Sequence, residues 1–106
     1  MNNLSNSVRL TGRLGAAPEM KELAGDKRVA KISLATNYYR KDGKSETHWH
    51  QLVLWNKQAD IAEKYLDKGS QIVIEGHLAN RYYTDKDGVK RYATEIVVSE
   101  LMLLGK

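Results

Sequence analysis

Thr47-His48-Trp49-His50-Gln51-Leu52-Val53-Leu54-Trp55-Asn56-Lys57-Gln58-Ala59-Asp60-Ile61-Ala62-Glu63-Lys64-Tyr65-Leu66-Asp67-Lys68-Gly69-Ser70-Gln71 changes its hydrophobic period twice. From Thr47 to Trp55 the period is two, the mark of a half-buried strand. Leu52 and Leu54 fall with His48 and His50 on one face, and Trp49, Gln51, Val53 and Trp55 on the other. The leucines already supply an apolar face. Gln51 between the two tryptophans argues against burying theirs. The indoles are six residues apart, about 20 Å at strand rise. From Asn56 to Leu66 the period becomes helical, with Ile61, Ala62, Tyr65 and Leu66 as the apolar stripe and Asn56 as the expected cap. This stripe places Tyr65 in the core. Gly69 follows, where a left-handed residue ends a helix. A new strand begins at Gln71.

Working toward the N-terminus, Val29 to Thr36 is a strand with Ala30, Ile32 and Leu34 on one face. Val8 to Leu14 is another. Gly15 to Pro18 breaks it, Glu19 to Leu23 is ambiguous, and Ala24-Gly25-Asp26 signals a turn. The polar stretch Asn37 to Glu46, with Asp42-Gly43 inside it, reads as a hairpin with a mobile tip. Toward the C-terminus, Gln71 to Thr84 is a long strand expected to bend at Gly76. Asp85-Lys86-Asp87-Gly88 is a hairpin turn. Arg91 to Val98 is the last clear strand, and the apolar tail Leu101 to Leu104 could continue it. Five strands with one helix between the third and fourth is an all-β order. It predicts a Greek-key oligonucleotide/oligosaccharide-binding (OB) barrel, one domain over residues 1–106.

Composition narrows the chemistry. The chain has 106 residues, 17 Lys and Arg against 13 Asp and Glu, and a formal charge of +4. That excess permits a polyanionic partner without requiring one. Without cysteine, disulfides, thiolate metal sites and thiol catalysis are excluded. The polar start is no secretory signal, and no apolar run reaches the roughly 18 residues of a membrane helix. A cytoplasmic protein without a membrane partner is the expectation. Two Trp and six Tyr with no Phe suit surface stacking or a small core with wet edges. His48 and His50 share a face but have no further ligand nearby, so they read as packed or subunit-interface histidines. Asp85 to Gly88 begins like a calcium loop, but Ile96 stands where the downstream Glu would be. No acid, base and nucleophile converge in sequence, and no cofactor is implied. Lys86, Lys90 and Lys106 read as solvated charges.

The motifs taken in order resemble one family, the bacterial single-stranded DNA-binding proteins. The likeness lies in Asn6-Ser7-Val8-Arg9-Leu10-Thr11-Gly12-Arg13-Leu14-Gly15 with Pro18-Glu19, Ile32-Ser33-Leu34-Ala35-Thr36, and Thr47-His48-Trp49-His50 with Val53-Leu54-Trp55-Asn56-Lys57. It continues through Tyr65 to Gln71, Ile74-Glu75-Gly76, Arg81-Tyr82-Tyr83-Thr84-Asp85 and Arg91 to Ile96, so it covers about Asn6 to Val98. The resemblance implies sequence-tolerant binding and protection of single-stranded DNA in replication, recombination or repair. It implies no catalysis, a homotetramer (a dimer as the alternative), and a cytoplasmic, nucleoid-associated bacterial setting. It assigns base stacking to Trp49, Trp55, Tyr83 and Tyr39, with Tyr38 as the alternative to Tyr39. Arg13, Lys31, Arg40, Lys41 and Arg81 are the cations expected to meet phosphates.

This chain departs from the family pattern in several places. Ser7, Gln51 and Ala79 stand where the family usually or often has a basic residue. The chain stops at Leu104-Gly105-Lys106, so no acidic tail for recruiting replication proteins is expected if the sequence is complete. A primosomal replication-restart-like dimer, acting as a DNA-bound adaptor, is the alternative within the same fold. An RNA-binding barrel of cold-shock type would show Phe-rich motifs, and a nuclease-like barrel would need a metal-carboxylate or nucleophile set.

Overall fold

A computed structural model describes residues 4–105; Lys106, read above as a solvated charge, and the first three residues lie outside it. The elements are β1 (Val8–Leu14), β2 (Glu19–Leu23), β3 (Lys27–Tyr39), β4 (Ser45–Trp55), α1 (Lys57–Tyr65), β5 (Gln71–Thr84) and β6 (Lys90–Gly105). The sheet runs β1-β5-β6-β4-β3-β2, and a second pairing of β1 with β3 closes β1, β5, β6, β4 and β3 into a ring. The expected five-stranded OB barrel, with its helix between the third and fourth barrel strands, is therefore present. The β4–β6 pairing is parallel, and the other pairings are antiparallel.

The core follows from period-two patterning. Ala30, Ile32 and Leu34 of β3, Leu52 and Leu54 of β4, Ile72 and Ile74 of β5, and Ile96 and Val98 of β6 all point into the ring. Burying the Leu, Ile and Val side chains among them stabilises a fold by about 1.5–3 kcal/mol each. Helix α1 and the residue after it pack on this cluster through Ala59, Ala62 and Leu66. The contact stripe is thus rotated from the expected one, and Tyr65 is 61% exposed instead of buried. Two alanines let the helix sit close, and Tyr65, about 100° round the helix from Leu66, clears the barrel.

Two glycines mark places where backbones cross. A Cβ on Gly12 would collide with the Ala35 carbonyl oxygen, where β1 closes onto β3. A Cβ on Gly76 would collide with the Val97 carbonyl oxygen, and the β5–β6 register shifts between Glu75 and Gly76. The bend expected at Gly76 is found there.

Several local expectations need correction. Glu19–Leu23 is a strand, paired from Glu19↔Lys31 to Leu23↔Lys27. The Asn37 to Glu46 stretch is the expected hairpin, but half of it is strand, so Tyr38 and Tyr39 stand on β3 and not in a loop. The turn itself is short: the Arg40 amide donates to the Lys44 carbonyl (2.8 Å), and the Gly43 amide to that of Arg40 (3.1 Å). Asn56 precedes the helix but does not cap it. Its Oδ1 instead accepts from the Arg28 amide (3.1 Å), while its own amide donates to the Arg28 carbonyl (2.8 Å). The helix ends with Leu66 extended, and the left-handed Gly69 belongs to the following turn. The apolar tail does continue the last strand, as its sequence allowed, to Gly105.

The long strands outrun the barrel as two arms, β3–β4 and β5–β6. The radius of gyration is accordingly 15.0 Å, against about 13 Å for a compact chain of this size.

Candidate nucleic-acid interface

The β3–β4 register builds one face of the candidate site. Trp49 lies opposite Ala35, Gln51 opposite Ser33, Val53 opposite Lys31 and Trp55 opposite Val29. Because strand side chains alternate, all eight share the face turned away from the core. Trp49 is 58% exposed and Trp55 40% exposed. Val29 and Val53 are buried on this face, forming an apolar floor beside the rings. Gln51 Nε2 donates to Ser33 Oγ (3.2 Å), so the polar residue between the indoles is tied to the neighbouring strand.

The same parity carries the face outward along both arms. Asn37 pairs with Thr47 and Tyr39 with Ser45, so Tyr39 shares the tryptophan face. A groove of about 260 Å³ joins Tyr39, Asn37 and Ala35 to Thr11, Gly12, Arg13 and Gln71. Tyr38 points the other way and stacks on His48, ring centres 5.9 Å apart. Across β4–β6, Val53 lies opposite Val97, and Val97 opposite His77 of β5. Counting in steps of two from His77 puts Arg81 and Tyr83 on this face as well. Arg81 lies over the Tyr83 ring, 5.3 Å from its centre. Tyr82 faces the other side and pairs with Tyr92 at 5.9 Å.

The cations divide into two groups. Arg81 is held by Glu95 (3.3 Å) and Arg40 by Glu46 (2.9 Å) and Asp42 (3.7 Å). A phosphate reaching either must compete with a carboxylate. Arg13 is held by neutral acceptors, the Gly69 carbonyl (3.1 Å) and Gln71 Oε1 (3.5 Å). Lys31 and Lys41 enter no ion pair among the described residues. Beyond Tyr83, the Arg91 guanidinium and then the Val89 amide hold the Asp85 carboxyl below its usual range, which fastens the arm's turn.

Two features escaped the sequence reading. Arg28 joins β3 to the helix through Asp60 and through Glu63 (2.9 Å), with Glu22 of β2 at 3.7 Å. Hydrogen bonding to Glu63 is the largest cause of its raised pKa. Its backbone brackets Asn56, the residue after Trp55. Glu95 is the second feature, an acid on the tryptophan face. Its spacing of two from Val97 was the available signal.

The fold and this face together define a class: an OB barrel presenting open aromatic rings with cations beside them. Comparison with known proteins agrees. A family model described as the Single-strand binding protein family matches residues 5–104, and the chain belongs to that family. It is 45% identical over 105 residues to "Single-stranded DNA-binding protein 1" of Chlorobaculum tepidum, covering 94% of this chain and 65% of that protein. It is 41% identical over 104 residues to the "Single-stranded DNA-binding protein" of Xanthomonas campestris pv. campestris, covering 94% of this chain and 60% of that one. The chain thus spans a little under two thirds of the length of these relatives. A solved structure, "Plasmodium falciparum SSB complex with ssDNA", superposes with a TM-score of 0.86 at 36% identity, covering 98% of this chain and 99% of the other.

Proposed function

We propose that this chain is a non-enzymatic, single-domain binder of single-stranded DNA that tolerates any base sequence. The observation that carries the reading is the pair of open indoles, Trp49 and Trp55, on one sheet face. Every base has a π-face, so an aromatic surface accepts it whatever its identity, at roughly 1–3 kcal/mol per base. Tyr39 and Tyr83 extend the path along the arms. Arg13, Lys31 and Lys41 meet phosphates directly, while Arg40 and Arg81 do so after giving up a carboxylate. The names of the relatives, and the single-stranded DNA in the complex of the solved neighbour, support this reading over the replication-restart adaptor. Replication, recombination and repair are the processes that expose such strands. A cytoplasmic setting accords with them; among the described residues no helix is long and apolar enough to cross a membrane. The working form in this reading is a homotetramer, with a dimer as the alternative. The test is a titration of the protein with oligo(dT) and with duplex, followed by tryptophan emission. Quenching by the single strand and much weaker binding of duplex are expected. Equal affinity for the two would reject stacking.

A further inference from the structure

Trp49 stands on β4, yet its ring reaches across the sheet. Ala35, opposite it on β3, carries only a methyl group on that face, and Ser33 is the next residue along. Beyond β3, at the end of β1, Gly15 is pinned by its amide to the Ser33 carbonyl (3.0 Å). A Cβ built on Gly15 would lie 2.5 Å from Cζ3 and 2.6 Å from Cη2 of Trp49, and its third neighbour is Cε3 of the same ring at 3.7 Å. The outer part of the indole therefore occupies the space that a side chain at Gly15 would take.

Gly15 differs from the other tightly packed glycines. At Gly12 and Gly76 the obstacle is backbone, so any side chain distorts the barrel. At Gly15 the obstacle is one aromatic side chain. Nor does Gly15 use the left-handed conformation that favours glycine. Alanine fits its backbone and meets only the ring.

We propose that Gly15 is a positioning residue for nucleic-acid binding: its missing side chain is the seat that holds the Trp49 indole in place as a stacking surface. The proposal rests on the reading of Trp49 as a base platform. A ring held against a fixed backbone loses little freedom when a base arrives, which is how preorganisation raises affinity. Ala35 and Ser33 keep the path to the seat low, and the β1–β3 closure fixes where the seat lies.

A double-mutant cycle tests this, read by anisotropy of end-labelled oligo(dT) so that the signal does not depend on tryptophan. Gly15→Ala is expected to weaken binding roughly tenfold when Trp49 is present. In a Trp49→Ala background it should change affinity by less than about twofold, because no ring remains to displace. In a Trp55→Phe background, Gly15→Ala should alter the emission maximum and acrylamide quenching of Trp49. An equal loss in both backgrounds, or an unchanged affinity and emission with Trp49 present, would overturn the proposal. So would a failure of Gly15→Ala to fold even beside Trp49→Ala, since the glycine would then serve the backbone. If the unsubstituted protein does not bind oligo(dT), the stacking reading itself has failed, whatever Gly15 does.

Discussion

Trp49 and Trp55 sit on the same strand but are supported differently. One ring leans on the end of β1, while the other stands just before Asn56, which the Arg28 backbone grips. Replacing either by Ala is expected to weaken oligo(dT) binding by about 1–3 kcal/mol, measured by anisotropy. Tyr39→Ala should weaken it too. Tyr38→Ala should have a much smaller effect, because Tyr38 faces away and stacks on His48. His50 supplies a pH test. Burial, and secondly the neighbouring His48, hold its pKa below the usual imidazole value of 6.5, and its Nε2 meets Thr36 Oγ1 at 2.9 Å. The folded protein therefore takes up this proton later than the unfolded chain as pH falls. The stability that His50 contributes is present above 6.5 and is lost as pH drops through its folded value. The melting temperature should fall on acidification over that range, and His50→Gln should flatten the decline.

Elements show how far local pattern reaches. β1, β3, β4 and β5 were legible because alternating residues bury one face, and Gly76 was legible as a bend because only glycine clears a crossing backbone. Gly76→Ala is expected to cost about 1–3 kcal/mol of stability, seen as a lower melting temperature by circular dichroism. β2 was not legible. Glu-Met-Lys-Glu-Leu has a single half-buried residue, Met20, and it becomes a strand only by pairing with Lys27–Lys31. The end of β3 read as loop because arm residues point into water on both faces and so carry no alternation. Asn56 has the right identity for a cap but a φ of 48° and ψ of −106°. Its side chain turns to β3 instead of the helix. Asn56→Gly should keep that backbone turn and its amide hydrogen bond to Arg28, losing only the side-chain contact with the Arg28 amide. Asn56→Ala should lose both the turn and that contact and melt at a lower temperature.

At the scale of the molecule, charge decides how binding responds to solvent. Cations that displace counterions from phosphates make affinity fall as salt rises. A clear loss is expected between about 50 and about 200 mM salt, read from titrations at both concentrations. Because Glu95 and Glu46 occupy two of the guanidiniums in the free protein, the slope should be shallower than a count of basic residues suggests. A flat response would remove the phosphate part of the interface. Sedimentation at micromolar concentration checks assembly: a tetramer is expected, and a monomer would defeat that expectation.

The succession of the five barrel strands, the presence of the helix, the inward leucines and isoleucines and the outward indoles follow from spacing along the chain, since period and turn chemistry act between near neighbours. The pairing of Arg81 with Glu95, the rotation of the helix that frees Tyr65, the choice of face between Tyr38 and Tyr39, and the contact of Gly15 with Trp49 arise only on folding. Each depends on how strands distant in sequence are set side by side. That register is fixed by closing the barrel, not by any local run of residues.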